Sequence, residues 1–115
     1  MNVQTEFVML VVVLMIDYFT GVCVACINEK ISSKIGFKGI CRKVMVLLLV
    51  ALTMIVDITF LEDNRLMSHT VIAFYIINES ISVLENTATI GIPLPKALVK
   101  LLGTLKEDNH HVERH

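Results

Sequence analysis

The sequence predicts an all-α membrane protein with about three transmembrane helices and a short amphipathic helix near its C-terminus. Three observations carry that expectation. Of the 115 residues 55% are hydrophobic, yet Trp is absent and aromatics make up only 6%. The apolar mass is therefore Val, Ile, Leu, Met and Ala, and a soluble domain this small has too little interior to hide it. Two nearly unbroken apolar runs have the length of a bilayer crossing, about 20 residues. Basic side chains are concentrated in one connecting segment and near the C-terminus. The length admits a single domain.

The first apolar run is FVMLVVVLMIDYFTGVCVACI, residues 7–27, with Asp17 its one charge. The preceding MNVQTE has no Lys or Arg, and the run is too long for a secretory h-region, so a crossing is expected instead of a cleaved leader. Val24-Ala25-Cys26 only faintly resembles a lipoprotein cleavage site. Cys23 and Cys26 have CxxC spacing without the soluble setting a redox motif needs, and Cys41 makes the number odd. Cys23 and Cys26 read as small apolar side chains in a buried helix, and the odd number does not suggest a disulfide framework.

NEKISSKIGFKGICRK follows as a basic loop in which Lys30, Lys34, Lys38, Arg42 and Lys43 face only Glu29. Gly36 and Gly39 are expected to break any simple helix there. The second crossing is VMVLLLVALTMIVDITFL, residues 44–61, again with one charge, Asp57. The short polar EDNRLMSH leads into a third segment over residues 66–90, apolar in its first half only. Gly91-Ile92-Pro93-Leu94-Pro95 ends it, because Pro93 cannot continue a helix and Pro95 can open the next. KALVKLLGTLK then predicts an amphipathic helix over about 95–106, with Leu94, Leu98, Leu101, Leu102 and Leu105 on one side and Lys96, Lys100 and Lys106 elsewhere. Residues 107–115 read as a polar tail.

Positive charge sets the expected orientation. The basic loop and the C-terminal region, with Lys96, Lys100, Lys106 and Arg114, belong inside. The EDNR loop and the N-terminus belong outside, and three crossings satisfy all four placements.

Asp17 and Asp57 stand out because a carboxylate at the bilayer centre costs about 2.5–3.5 kcal/mol on insertion scales. Such groups face protein or water. Either they mark a polar lumen, or each has a local partner such as Thr20 or Thr53. The third segment carries a stripe: Tyr75, Asn78, Glu79, Ser82, Glu85, Asn86 and Thr89 fall within an arc of about 120° at 100° per residue. Such a stripe lines water or binds polar faces of other helices. The bland alternative is a helix emerging into the cytoplasm from Asn78 onward. There is no phosphate loop, HExxH or nucleophile elbow, so neither an enzyme nor a bound cofactor is expected. His110, His111 and His115 lack partner cysteines and read as solvated tail, not as a metal site. The basic loop is explained by topology and anionic lipid, without nucleic acid.

DYFTG, SSKIGFKGICRK, the Asp of IVDITF and above all FYIINESISVLENTATIGIPLPKALVKLLGTLK resemble a family of small phage-lysis holins that also includes toxin-secretion proteins of clostridia. The likeness runs from about Asp17 to Lys106, and residues 1–106 are then one holin-like domain. The resemblance implies a protein of the bacterial cytoplasmic membrane that permeabilises it at a set time, letting a peptidoglycan-cleaving enzyme reach the wall or a toxin leave. It implies no catalytic residue.

The resulting expectation is a homo-oligomer that exposes the stripe, with Asp17 and Asp57, to water. The alternatives are a small channel or transporter subunit, in which those acids hold an ion, and a non-conducting membrane adaptor.

Overall fold

A computed structural model describes residues 2–62 and 64–113. Asp63, Arg114 and His115 lie outside the described residues, as do the side chains of Leu102, Lys106, His110 and His111. The order is α1 (Val3–Ile27), α2 (Ser33–Phe60), α3 (Leu66–Thr89) and α4 (Lys96–Glu113), with no strand among the described residues. The first three are long and apolar enough to cross a membrane.

α1 begins earlier than its apolar run because Asn2 caps it, accepting a hydrogen bond from the Thr5 N–H at 2.8 Å. It ends in a Schellman turn: Glu29 N–H donates to Cys26 O, Lys30 N–H donates to Ala25 O, and Glu29 adopts φ 55°. A β-carbon in that left-handed conformation is strained. α3 closes in the same way at Gly91, φ 88°, where glycine carries no such strain.

The basic segment is not a loop. α2 starts at Ser33 and carries Lys34, Lys38, Arg42 and Lys43 on its first three turns. Gly36 and Gly39 weaken a helix by about 1 kcal/mol each, which is too little to stop one driven by the apolar run that follows. At 28 residues, α2 is about 42 Å long. The hydrocarbon core is about 30 Å thick, so α2 has length to spare for turns outside it. Only Lys30 remains in the connection. α4 likewise runs beyond residue 106 to Glu113, since no Gly or Pro follows Gly103 to end it.

α3 is the central helix. α1 lies along it, α2 packs on it, and α1 and α2 barely meet. The core is Leu10 and Leu14 of α1, Val46 and Val50 of α2 and Ile72 of α3. Val8, Val12, Met15 and Phe19 on α1, and Leu48, Leu52 and Ile55 on α2, are exposed, as befits surfaces solvated by lipid. Cys23, Cys26 and Cys41 are free and exposed as well, not buried. They fall on the outer surfaces of α1 and α2, where a small apolar side chain is at home in lipid. Leu94, just before α4, and Leu98 and Leu105 on it are half-buried, whereas Val99 and Leu101 are exposed.

Asp57 joins two elements. Its carboxylate accepts from Met67 N–H at 3.1 Å, Ser68 N–H at 2.8 Å and Ser68 Oγ–H at 2.5 Å. The residue at the N-cap of α3, Arg65, is left-handed and makes no side-chain cap bond. Asp57 thus caps α3 from the end of α2, satisfying orphan N–H groups where the helix dipole favours an anion. Thr53 is not its partner, because the Thr53 hydroxyl donates to Val50 O at 2.6 Å.

Candidate functional site

One more turn along the buried face of α2 sits a charge. Lys43, Val46, Val50, Thr53 and Asp57 fall at i, i+3, i+7, i+10 and i+14, a single helical stripe; the last four are buried and Lys43 is half-buried. Lys43 Nζ donates to Asp17 Oδ2 of α1 at 2.8 Å and to Glu79 Oε2 of α3 at 3.1 Å. All three side chains are less than one-fifth exposed. Asn86, two turns beyond Glu79, donates to Thr20 Oγ1 at 3.0 Å and reaches Asp17 Oδ1 at 3.4 Å. The Thr20 hydroxyl in turn donates to the Asp17 carbonyl at 3.0 Å. Thr20 therefore neighbours Asp17 without bonding its carboxylate.

Two carboxylates sharing one ammonium explain how a chain this apolar tolerates charge in its spanning helices. Each acid alone is costly in lipid, and a charge-assisted hydrogen bond offsets desolvation where an unpaired acid cannot. Both acids draw on the same cation, so the cluster keeps one negative charge in excess when all three groups are ionised.

A cleft of about 870 Å³ opens from this cluster toward the 28–32 connection, between the C-terminal half of α1 and the first turns of α2. Asn78, Ser82 and Glu85 of α3 line it with Lys30 and Arg42. At Gly36 α2 comes close to α1, where a β-carbon would lie 3.5 Å from Tyr18 Oη, an ordinary van der Waals contact. On the opposite side of the cluster the interior is closed by the apolar core. The bundle is thus polar and open in one half and closed by apolar packing in the other.

The sequence candidates divide accordingly. Asp17, Glu79 and Asn86 come together around Lys43; Asn78, Ser82 and Glu85 line the cleft beside them. Asp57 stands apart, at the far end of α2. Lys34 and Lys38 are exposed on its first turns and do not line the cleft. The sequence reading missed the role of Lys43, whose signal was its place in register with Val46 and Val50. It also missed a pair at the dry end, where His69 Nδ1 lies 2.8 Å from Glu6 Oε1 and links α3 to α1.

Comparison with known proteins gives a consistent result. Residues 2–107 match the family described as the bacteriophage holin family. An uncharacterised protein of Clostridium perfringens is 38% identical over 104 residues, covering 90% of this chain and 76% of that protein. A second protein from the same species, described as an uncharacterised 14.9 kDa protein in the nagH 3' region, is 39% identical over 97 residues, 84% of this chain and 73% of its own length. A protein of Bacillus phage phi105 named "probable holin" is 31% identical over 101 residues, 88% of this chain and 74% of that one. No solved structure matches the chain.

Proposed function

The chain belongs to the bacteriophage holin family, and from that premise we propose that homo-oligomers of it permeabilise the bacterial cytoplasmic membrane and release a cell-wall-degrading enzyme or a toxin. It acts without catalysis. The N-terminus lies outside and the C-terminus inside, with the first turns of α2 and the cleft at the cytoplasmic face, following the distribution of Lys and Arg.

The observation that carries this reading is the cluster of Asp17, Lys43, Glu79 and Asn86 inside helices whose outer surfaces are apolar. A protomer alone turns these groups inward and shows lipid a tolerable surface. A wet lesion needs polar groups facing water, and α3 with its neighbours supplies them when the helices part. Crowding of protomers favours that change, since association scales with density in the membrane. Water then reaches the polar faces of α1 and α3 that the closed cluster had kept together.

The test is timed induction in bacteria, following growth and membrane potential together, with a leaderless peptidoglycan-cleaving enzyme co-expressed. A delayed, abrupt loss of potential followed by lysis is the expected course. Steady growth with normal potential, despite accumulation of the protein in the membrane, would overturn the proposal.

A further inference from the structure

The contact between Lys43 and the two acids has a feature that a simple intrachain pair does not need. α1 and α2 barely meet elsewhere. The first turns of α2, Ser33 to Arg42, pack on little: Ile35 and Phe37 are more than two-thirds exposed and Ile40 nearly half. The core grips α2 only from Val46 onward. Across the cleft, then, Lys43 straps α2 to the polar faces of α1 and α3, and residues 28–32 are the short connection that would act as the hinge.

Opening the cleft removes the cation from Asp17 and Glu79 while they still lie among apolar helices. Leaving paired ions uncompensated in such a setting is strongly unfavourable. The opening is therefore favoured only where another cation arrives at the same depth. A second copy of this chain in the same orientation carries Lys43 at that depth by construction. Among the described residues of the three long helices, the Lys and Arg side chains all lie in the Lys34–Lys43 stretch of α2, and Lys43 is the one nearest the apolar run.

We propose that in the assembled state Lys43 of one copy pairs with Asp17 and Glu79 of its neighbour, so that the ion pair that closes a protomer is the same one that joins protomers. The inference rests on the self-association proposed above and specifies its interface. Parallel copies related this way make a head-to-tail contact, which closes into a ring when the rotation allows. Exchange of an identical element needs no new chemistry, only a hinge and a vacated partner site. The faces lining the cleft then border the space between neighbours.

Charge exchange across chains tests this. Lys43→Glu alone puts three acids together within a chain, and Asp17→Lys alone puts two cations beside Glu79. Each is expected to reach the membrane, as a blot checks, and to leave the potential intact. Expressed together, the two variants can form mixed contacts, each with one cation and two carboxylates, but only between chains. Onset of potential collapse is then expected to return to within about twofold of wild type, as for compensating partners in a coupled pair. The doubly substituted single chain, Asp17→Lys with Lys43→Glu, should also be active and shows that the exchanged charges are tolerated. A second measurement does not depend on activity. With Cys23, Cys26 and Cys41 all changed to Ser, differently tagged Asp17→Cys and Lys43→Cys chains should form a cross-chain disulfide on oxidation. If the double variant is active but the co-expressed singles stay silent and no cross-chain disulfide forms, the pair is strictly intrachain and the inference falls, while self-association stands. Either single variant triggering on the wild-type schedule would likewise overturn it. Failure of the wild-type chain to permeabilise at all removes the functional reading and the inference together.

Discussion

Charged side chains in the spanning helices do two different jobs. Asp57 is structural: with 1% of its surface exposed, it receives three hydrogen bonds from the start of α3. Replacing it with Ala strands two backbone N–H groups and a hydroxyl. The expected loss is about 2–3 kcal/mol, from a missing cap and lost bonds to a charged acceptor; Asp57→Asn should lose about half of that, since an amide oxygen still accepts. Thermal unfolding in detergent measures both. Glu79 belongs to the cluster around Lys43, which the proposed function makes the working one. Glu79→Leu leaves Lys43 and Asp17 matched one to one, so the variant should insert at least as well as wild type, yet permeabilise late or not at all because the wet face has lost a charge. Ser80→Leu, on the side turned from Lys43, should be nearly silent. Membrane accumulation by blot beside the onset of potential collapse separates the two; normal accumulation with wild-type timing for Glu79→Leu would remove the stripe from the mechanism. The acids were legible in the sequence because charge inside apolar runs is costly. Their sorting was not, because whether a carboxylate meets an ammonium or a helix terminus depends on which helices pack together. Asp17 and Asp57 look alike in their runs and differ entirely in their neighbours.

At the level of elements, apolar runs indicate three helices of membrane-spanning length, and turn chemistry marks where α3 stops: Gly91 with φ 88° and Pro93 behind it. Gly91→Val is therefore expected to destabilise by about 1 kcal/mol or more, seen as a lower unfolding midpoint, since a β-branched residue resists positive φ. The start of α2 was misjudged because charge and glycine suggest a loop, whereas helix formation is cooperative and a long apolar helix extends readily into a Lys-containing flank. Labelling with an impermeant thiol reagent, in a chain whose native cysteines are changed to Ser, fixes the side of each end. Ser33→Cys should be spared in intact cells and Asn64→Cys modified, and the reverse pattern would invert the proposed topology. Removal of residues 107–115 takes away the polar end of the chain, including the last turns of α4. Insertion should survive, with at most a change in lysis timing, and a blot of the membrane fraction checks this.

For the whole molecule, three helices with one polar cleft and one apolar core present an outer surface that lipid tolerates, and under the proposed function the cleft holds the lining of a lesion. The core around Ile72 holds α1 and α2 on α3, and Lys43 ties α2 to α1 and α3 where the cleft begins. A protein of this kind should act through density in the membrane, because one protomer has too few polar surfaces to enclose water. The most direct measurement is release of a trapped dye from vesicles containing the purified full-length chain, over a range of protein-to-lipid ratios. Permeabilisation by self-association predicts little release at low ratios and a steep rise above a threshold. Release strictly proportional to protein from the lowest ratio, or none at any ratio despite complete insertion, would contradict it.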